Sequence, residues 1–240
     1  MQKHKSKFSD LTCINTTLVD VQRCVRLHDL DELDNHHLGF HMIGLFSFRD
    51  WSLQDGVNFF WEFMIKLGIR PDYVTIHPDK MQEWVRLYDL YRVPVRPDNE
   101  CIWSDGVNES YCTEFYYKGV EIGNIVNPQG TCLDIGFGLE RLEQFVSPVE
   151  ESSKHDKIRF VLECLVNENV QPGSQKQGYI LRRLIRKLIV EGGTWNHTVF
   201  EIEKERFVKQ QQRYVQLLKK HGEQSKEWWW DTHGIDITCL

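Results

Sequence analysis

The chain has 240 residues, is 41% hydrophobic and 27% charged, and carries a formal net charge of −6 at pH 7. That length and apolar content suffice for a sizeable core in one large domain or two smaller ones, and the acidic balance disfavours a general nucleic-acid binder. No apolar run reaches the ~18 residues of a membrane span and the start MQKHKSKFSD lacks a signal peptide's apolar core, so a cytoplasmic protein without a membrane partner is expected.

Along the first part of the chain, strand-like runs are predicted at 15–27, 37–48, 73–77, 111–117, 120–127 and 131–136. Helical patterns interrupt them at 53–67, at 79–91 and after Gly138. The short turns Lys118-Gly119 and Pro128-Gln129-Gly130 join adjacent runs and read as hairpins. That order predicts an α+β fold, an antiparallel sheet flanked by helices. SPVEESSK, at 147–154, mixes proline, serine and charge in the manner of a linker. The reading therefore divides the chain into domains 1–150 and 151–240. After the linker the pattern turns helical, at 156–167, 178–191 and about 200–221.

Two stretches carry candidate chemistry. In LDIGFGLERL, at 133–142, a backbone bare at Gly136 and Gly138 can approach a ligand closely, Asp134 can hold an ammonium, and Arg141 points from a first helical turn at anything anionic or planar. In GYILRRLIRKLIV, apolar residues repeat at helical spacing, so Arg182, Arg183, Arg186 and Lys187 form a basic stripe suited to phosphates or a solvated face. The seven cysteines are an odd count, scattered and without a CxxC pair, which argues against a disulfide framework or a structural zinc site.

These stretches keep company with VQRCVRLHDLDELDNHHLGFHMIGLFSF at 21–48, DNECIW at 98–103, EIGNIVN at 121–127 and QGYILRRLIRK at 177–187. The ordered series resembles the catalytic region of alanyl-tRNA synthetases, a class II aminoacyl-tRNA synthetase family, and LDIGFGLER resembles that class's third signature motif. The resemblance implies a class II antiparallel sheet flanked by helices, followed by a helical region like the start of the family's tRNA-recognition part. It also implies ATP-dependent amino-acid activation, with amino acid and ATP as partners and ATP and Mg²⁺ as cofactors. Arg26 and Arg141 match the family's catalytic arginines, one on the α-phosphate and substrate carboxylate, the other on adenine and the terminal phosphate. Asp29, Phe40, Met42, Glu121 and Gly138 fall with them in the ATP site, with Glu121 as an Mg²⁺ contact. Trp103, Asn124, Asp134 and Gly136 match the amino-acid pocket. The basic stripe would dock a nucleic acid or another acceptor.

Departures from the family qualify these expectations. The segment before the second signature motif is too short for the first motif's long helix and strand. Gly123 stands where a tryptophan is usual, an exchange expected to enlarge or reshape the amino-acid pocket. His41 replaces an acid, and with His37 it reads as a site or strand residue rather than a metal pair, because the CxxxH that completes the family's editing-domain zinc site is absent. The short acidic loop between Arg26 and His36 is expected to leave an open mouth. With the sequence stopping soon after WWWDTHGID, transfer of the aminoacyl group to something other than a cognate tRNA is the favoured expectation. That acceptor could be a small metabolite, a carrier, a peptide or a modified nucleobase. Charging of tRNA by a minimal enzyme and a non-catalytic sensing module are the alternatives. The amino acid, the acceptor and the oligomeric state stay open.

Overall fold

β-branched and aromatic runs make strands, and here they build an eight-stranded sheet in the order β1-β2-β8-β7-β6-β3-β4, with β5 paired to β6. The strands are β1 Thr16–Val25, β2 Gly39–Phe48, β3 Tyr73–Ile76, β4 Val95–Pro97, β5 Ile102–Ser104, β6 Glu109–Tyr117, β7 Val120–Val126 and β8 Cys132–Gly138. The structure is a computed structural model that describes residues 4–25, 39–104, 106, 108–146, 153–233 and 235. It comprises two compact units, Met1–Cys24 with Phe40–Glu150, and Val25–Gly39 with Glu151–Leu240.

In the first unit the predicted strands form, and the two hairpins join β6 to β7 and β7 to β8 in antiparallel register. Lys118 and Gly119 have φ of 50° and 78°, the left-handed pair that a two-residue hairpin requires. The sheet departs from the purely antiparallel expectation at one edge, where β3 and β4 run parallel. The intervening chain, α3 Pro78–Trp84 and a 3₁₀ turn Val85–Tyr91, supplies the crossover that a parallel pair needs. The predicted helix at 79–91 is thus split. Neither β4 nor β5 was visible as a strand pattern, being three residues each, and α1 Lys5–Ser9 was not anticipated.

Helix α2, Leu53–Lys66, starts at a capping box in which Ser52 and Asp55 exchange bonds. It lays Val57, Phe60 and Met64 on one face of the sheet. Phe60 stacks on Phe115 with centroids 3.6 Å apart and on Phe137 at 4.7 Å. Leu133, Ile135 and Phe137 meet the same core. Gly123 faces this layer. A Cβ there would lie 2.5 Å from the Gly136 carbonyl and 3.0 Å from the Phe60 ring. The exchange at this position therefore faces α2 and not the opposite sheet face that carries Asn124 and Asp134, and it lets β7, β8 and α2 approach closely. Gly123→Ala is expected to destabilise the protein by about 1–3 kcal/mol, since backbone must shift, and urea denaturation will read it. An unchanged midpoint would contradict the close approach.

Between β6 and β7 the register shifts: Phe115 pairs with Gly123 and Tyr116 with Glu121, which leaves Ile122 as the extra residue of a bulge. The second unit contains α5 Lys154–Asn167, α6 Lys176–Val190, α7 Thr198–His221 and α8 Lys226–His233. Leu181, Leu184, Ile185 and Leu188 of α6 pack with Ile158, Val161, Leu162 and Leu165 of α5 at helical spacing. Among the described residues no helix is long and apolar enough to cross a membrane.

Candidate active site

Side chains alternate across a strand, so the residues between Leu133, Ile135 and Phe137 belong to the sheet face away from α2. Those are Asp134 and Gly136, and Gly138 continues the alternation after Phe137. The register sets Gly136 between Asn124 of β7 and Gly44 of β2, Asp134 between Val126 and Phe46, and Gly138 opposite Met42. One face thus gathers Met42, Asn124, Asp134, Gly136 and Gly138. Gly136 forms its floor: a Cβ would stand 3.3 Å from Asn124 Oδ1 and 3.5 Å from Met42 Sδ. Phe40 lies two positions before Met42 on β2. Trp103 packs on Cys101, Cys112 and Val126 at the far side of the same face.

Arg141 comes from the first turn of α4, Leu139–Val146. Its Nη1 donates to Glu121 Oε2 at 2.8 Å and to the Glu121 carbonyl at 3.0 Å. The bulge is what allows this, because it turns Glu121 onto the site face beside Asn124, whose Nδ2 lies 3.5 Å from Glu121 Oε1. The stem of Arg141 passes over Gly138, within 3.6 Å of where a Cβ would be. Glu140 anchors the same turn. Its carboxylate accepts from the His41 backbone N–H at 2.9 and 3.0 Å and lies 2.8 Å from His41 Nδ1. His41 is accordingly a strand residue bound to the helix start, and His37 lies outside the described residues.

Glu121, the expected Mg²⁺ contact, is turned toward Arg141. Its Oε2 is engaged by the guanidinium at 2.8 Å, so an ion there would meet Oε1 and share the carboxylate with that cation. Arg26, Asp29 and the acidic loop up to His36 lie outside the described residues. On α6, Arg182, Arg183 and Lys187 are partly exposed, but Arg186 is buried. Its Nε donates to Glu203 Oε1 at 2.9 Å and its guanidinium lies 5.2 Å from the Phe207 ring. Arg186 is therefore a core residue of the second unit and not part of a docking stripe, because a position beside Ile185 on a short-pitched helix turns inward once α7 packs there.

Burial pushes the Asp134 carboxyl above the ordinary aspartate range. A folded pKa above the unfolded one means stability that is present below the unfolded value and is lost as pH rises through the folded value. Asp134→Asn removes that loss. The thermal midpoint of the variant relative to the parent is expected to rise as pH goes from about 4 to neutral, measured by scanning fluorimetry in a buffer series. A pH-independent difference would show that the carboxylate is not strained. On the neighbouring β6, a hydrogen bond with Cys101 and then burial push the Cys112 thiol up, and burial pushes Glu114 up. Neither residue was singled out from the sequence for ligand binding.

Similarity to known proteins agrees with this arrangement. A family model described as tRNA synthetases class II (A) matches residues 1–161. Among curated relatives, an alanine–tRNA ligase of Tropheryma whipplei is 26% identical over 243 aligned residues, covering 72% of this chain and 28% of the relative. That of Francisella philomiragia is 27% identical over 281 aligned residues, covering 84% and 32%. The chain thus spans about a third or less of the relatives it matches. A solved structure, apo histidyl-tRNA synthetase of S. aureus, aligns at 11% identity and a TM-score of 0.40 over 70% of this chain and 59% of that one. With the sheet, Asp134 and the two glycines that follow it, and the arginine-bearing turn of α4 in place, and the family model spanning most of its residues, this chain belongs to the class II tRNA synthetases of the alanyl type.

Proposed function

We propose that the first unit activates an amino acid with ATP. The amino acid's carboxylate oxygen attacks the α-phosphorus, a P–O bond forms, the bond to the β-phosphate bridge breaks, and pyrophosphate leaves with the electron pair. The product is an aminoacyl-adenylate. One observation carries this reading: Asp134, Asn124 and Gly136 share a sheet face with an arginine held by Glu121. A buried carboxylate beside a backbone floor suits an ammonium and a small carbon skeleton, because a desolvated anion gains most from a cation.

At the other end, Arg141 keeps Nε and Nη2 for a ligand, and its planar fork can lie on adenine while it meets a phosphate oxygen. Met42 and Phe40 supply apolar surface near it. Arg26 is proposed to neutralise charge developing at the α-phosphorus. Positioning and positive charge account for most of such catalysis. Mg²⁺ would enter with the nucleotide phosphates and no step above is routed through it.

We further propose an acceptor other than a full tRNA for the aminoacyl group. The loss of Arg186 to a buried pair leaves α6 a sparser set of cations than the sequence implied, and this favours a small or flexible acceptor. Amino-acid-dependent ATP–pyrophosphate exchange across the twenty standard amino acids tests the reading. Exchange with one of them, lost in Arg26→Ala, supports activation. No exchange from a folded chain that still binds ATP would replace the enzyme with a sensing module, and an RNase-sensitive aminoacylated product would make the acceptor a tRNA.

A further inference from the structure

From the convergence of Cys101, Cys112 and Glu114 on the site face of the sheet, we propose a zinc site at its amino-acid end. One ligand atom from each, two Sγ and a carboxylate oxygen, lies within 4.8 Å of the others. Bonds of about 2.3 Å to sulfur and 2.0 Å to oxygen around a tetrahedral ion put ligands a little under 4 Å apart, so closure takes side-chain rotation and no change of fold.

The backbone already fixes the set. β5 and β6 are paired antiparallel, and extending that pairing by one residue puts Cys101 opposite Cys112, whose N–H donates to the Cys101 carbonyl at 3.0 Å. Glu114 follows Cys112 by two positions and shares its face. The ligands are themselves held. Cys101 Sγ is 3.1 Å from Thr75 Oγ1 of β3, and Tyr116 donates from its hydroxyl to Glu114 Oε2 at 2.8 Å, which leaves Oε1 for an ion. Such outer partners orient metal ligands. Both cysteines are buried, at 0% and 3% exposure, while Glu114 is only half-buried, so an ion has an entry on that side.

Two sulfurs and one carboxylate select Zn²⁺ over Mg²⁺ or Ca²⁺, which take oxygen. On binding, two thiol protons leave to solvent and the ion takes both thiolates. Three protein ligands are the pattern of a zinc with an exchangeable fourth position. Here that position adjoins Asn124, the cross-strand partner of Glu114. The scattered cysteines concealed the site, since Cys101 is joined to Cys112 and Glu114 by strand pairing and not by a short spacing in sequence.

The test uses the full chain, purified under reducing conditions and exposed to Zn²⁺, then gel-filtered and analysed for metal. About one zinc per chain is expected, falling to background in Cys101→Ser and Cys112→Ser and bound at least tenfold more weakly in Glu114→Gln. Co²⁺ exchange into the parent chain gives a measurement independent of variant folding: near-ultraviolet sulfur-to-cobalt absorption sized for two thiolates, with intense tetrahedral bands in the visible. Zinc retained equally without the two cysteines, no retention by the reduced parent, or a cobalt spectrum lacking thiolate absorption would each overturn the assignment.

Discussion

Arg141→Ala is expected to lower kcat/KM for ATP in pyrophosphate exchange by about 10²–10³-fold, with the thermal midpoint little changed. The magnitude is that of removing a preorganised donor aimed at developing charge. The geometry adds to it, because Glu121 now holds the guanidinium through Nη1 and would be left as an uncompensated anion facing a nucleotide. Arg141→Lys should not rescue, having one point charge to divide between Glu121 and the ligand. Glu121→Gln separates positioning from charge. Removing a negative group should tighten ATP binding if only net charge matters, whereas loss of the anchor for Arg141 should raise the KM for ATP. An unchanged KM in Arg141→Ala, with the protein folded, would refute the adenine and phosphate assignment.

Glu203→Ala is expected to cost about 3–5 kcal/mol, the usual price of stranding a buried partner. Glu203 is 1% exposed and Arg186 6%, and the alanine variant would leave a guanidinium in an apolar setting. Glu203→Gln keeps an acceptor and should lose less. Urea denaturation followed by far-ultraviolet circular dichroism reads both. A loss under about 1 kcal/mol would place the pair among weak surface bridges. Substituting Arg182, which is partly exposed, should by contrast leave stability nearly unchanged, by roughly 0.5 kcal/mol or less.

What the sequence disclosed and what it hid follow from how local each feature is. Strands β1, β2, β6, β7 and β8 were legible because each carries a long apolar or aromatic run closed by turn residues. Strands β4 and β5 were not, at three residues apiece. Asp134, Gly136, Gly138 and Arg141 sit in one decamer at a strand-to-helix join, so their proximity was readable. Asn124 and Trp103 required a resemblance to connect them. The charge pattern of α6 gave four cations on one segment, but helical periodicity cannot tell a solvated arginine from one answered by Glu203 on another helix. The partnership of Glu140 with His41, and that of Cys101 with Cys112, likewise exist only once strands pair.

The bulge at Ile122 gives β7 a dependence on pairing register as well as on composition. Closing the bulge with Ile122 retained would impose strict alternation from Asn124, turning Ile122 to the site face and Glu121 to the α2 side, so that Arg141 would lose its anchor while every amino acid of the site stayed present. Chemistry here is thus encoded partly as register, in where two residues of β7 stand against one of β6 between Asn124 and the β6–β7 turn. A relative with the same motif letters but with its bulge on the far side of Glu121 would present a different active site.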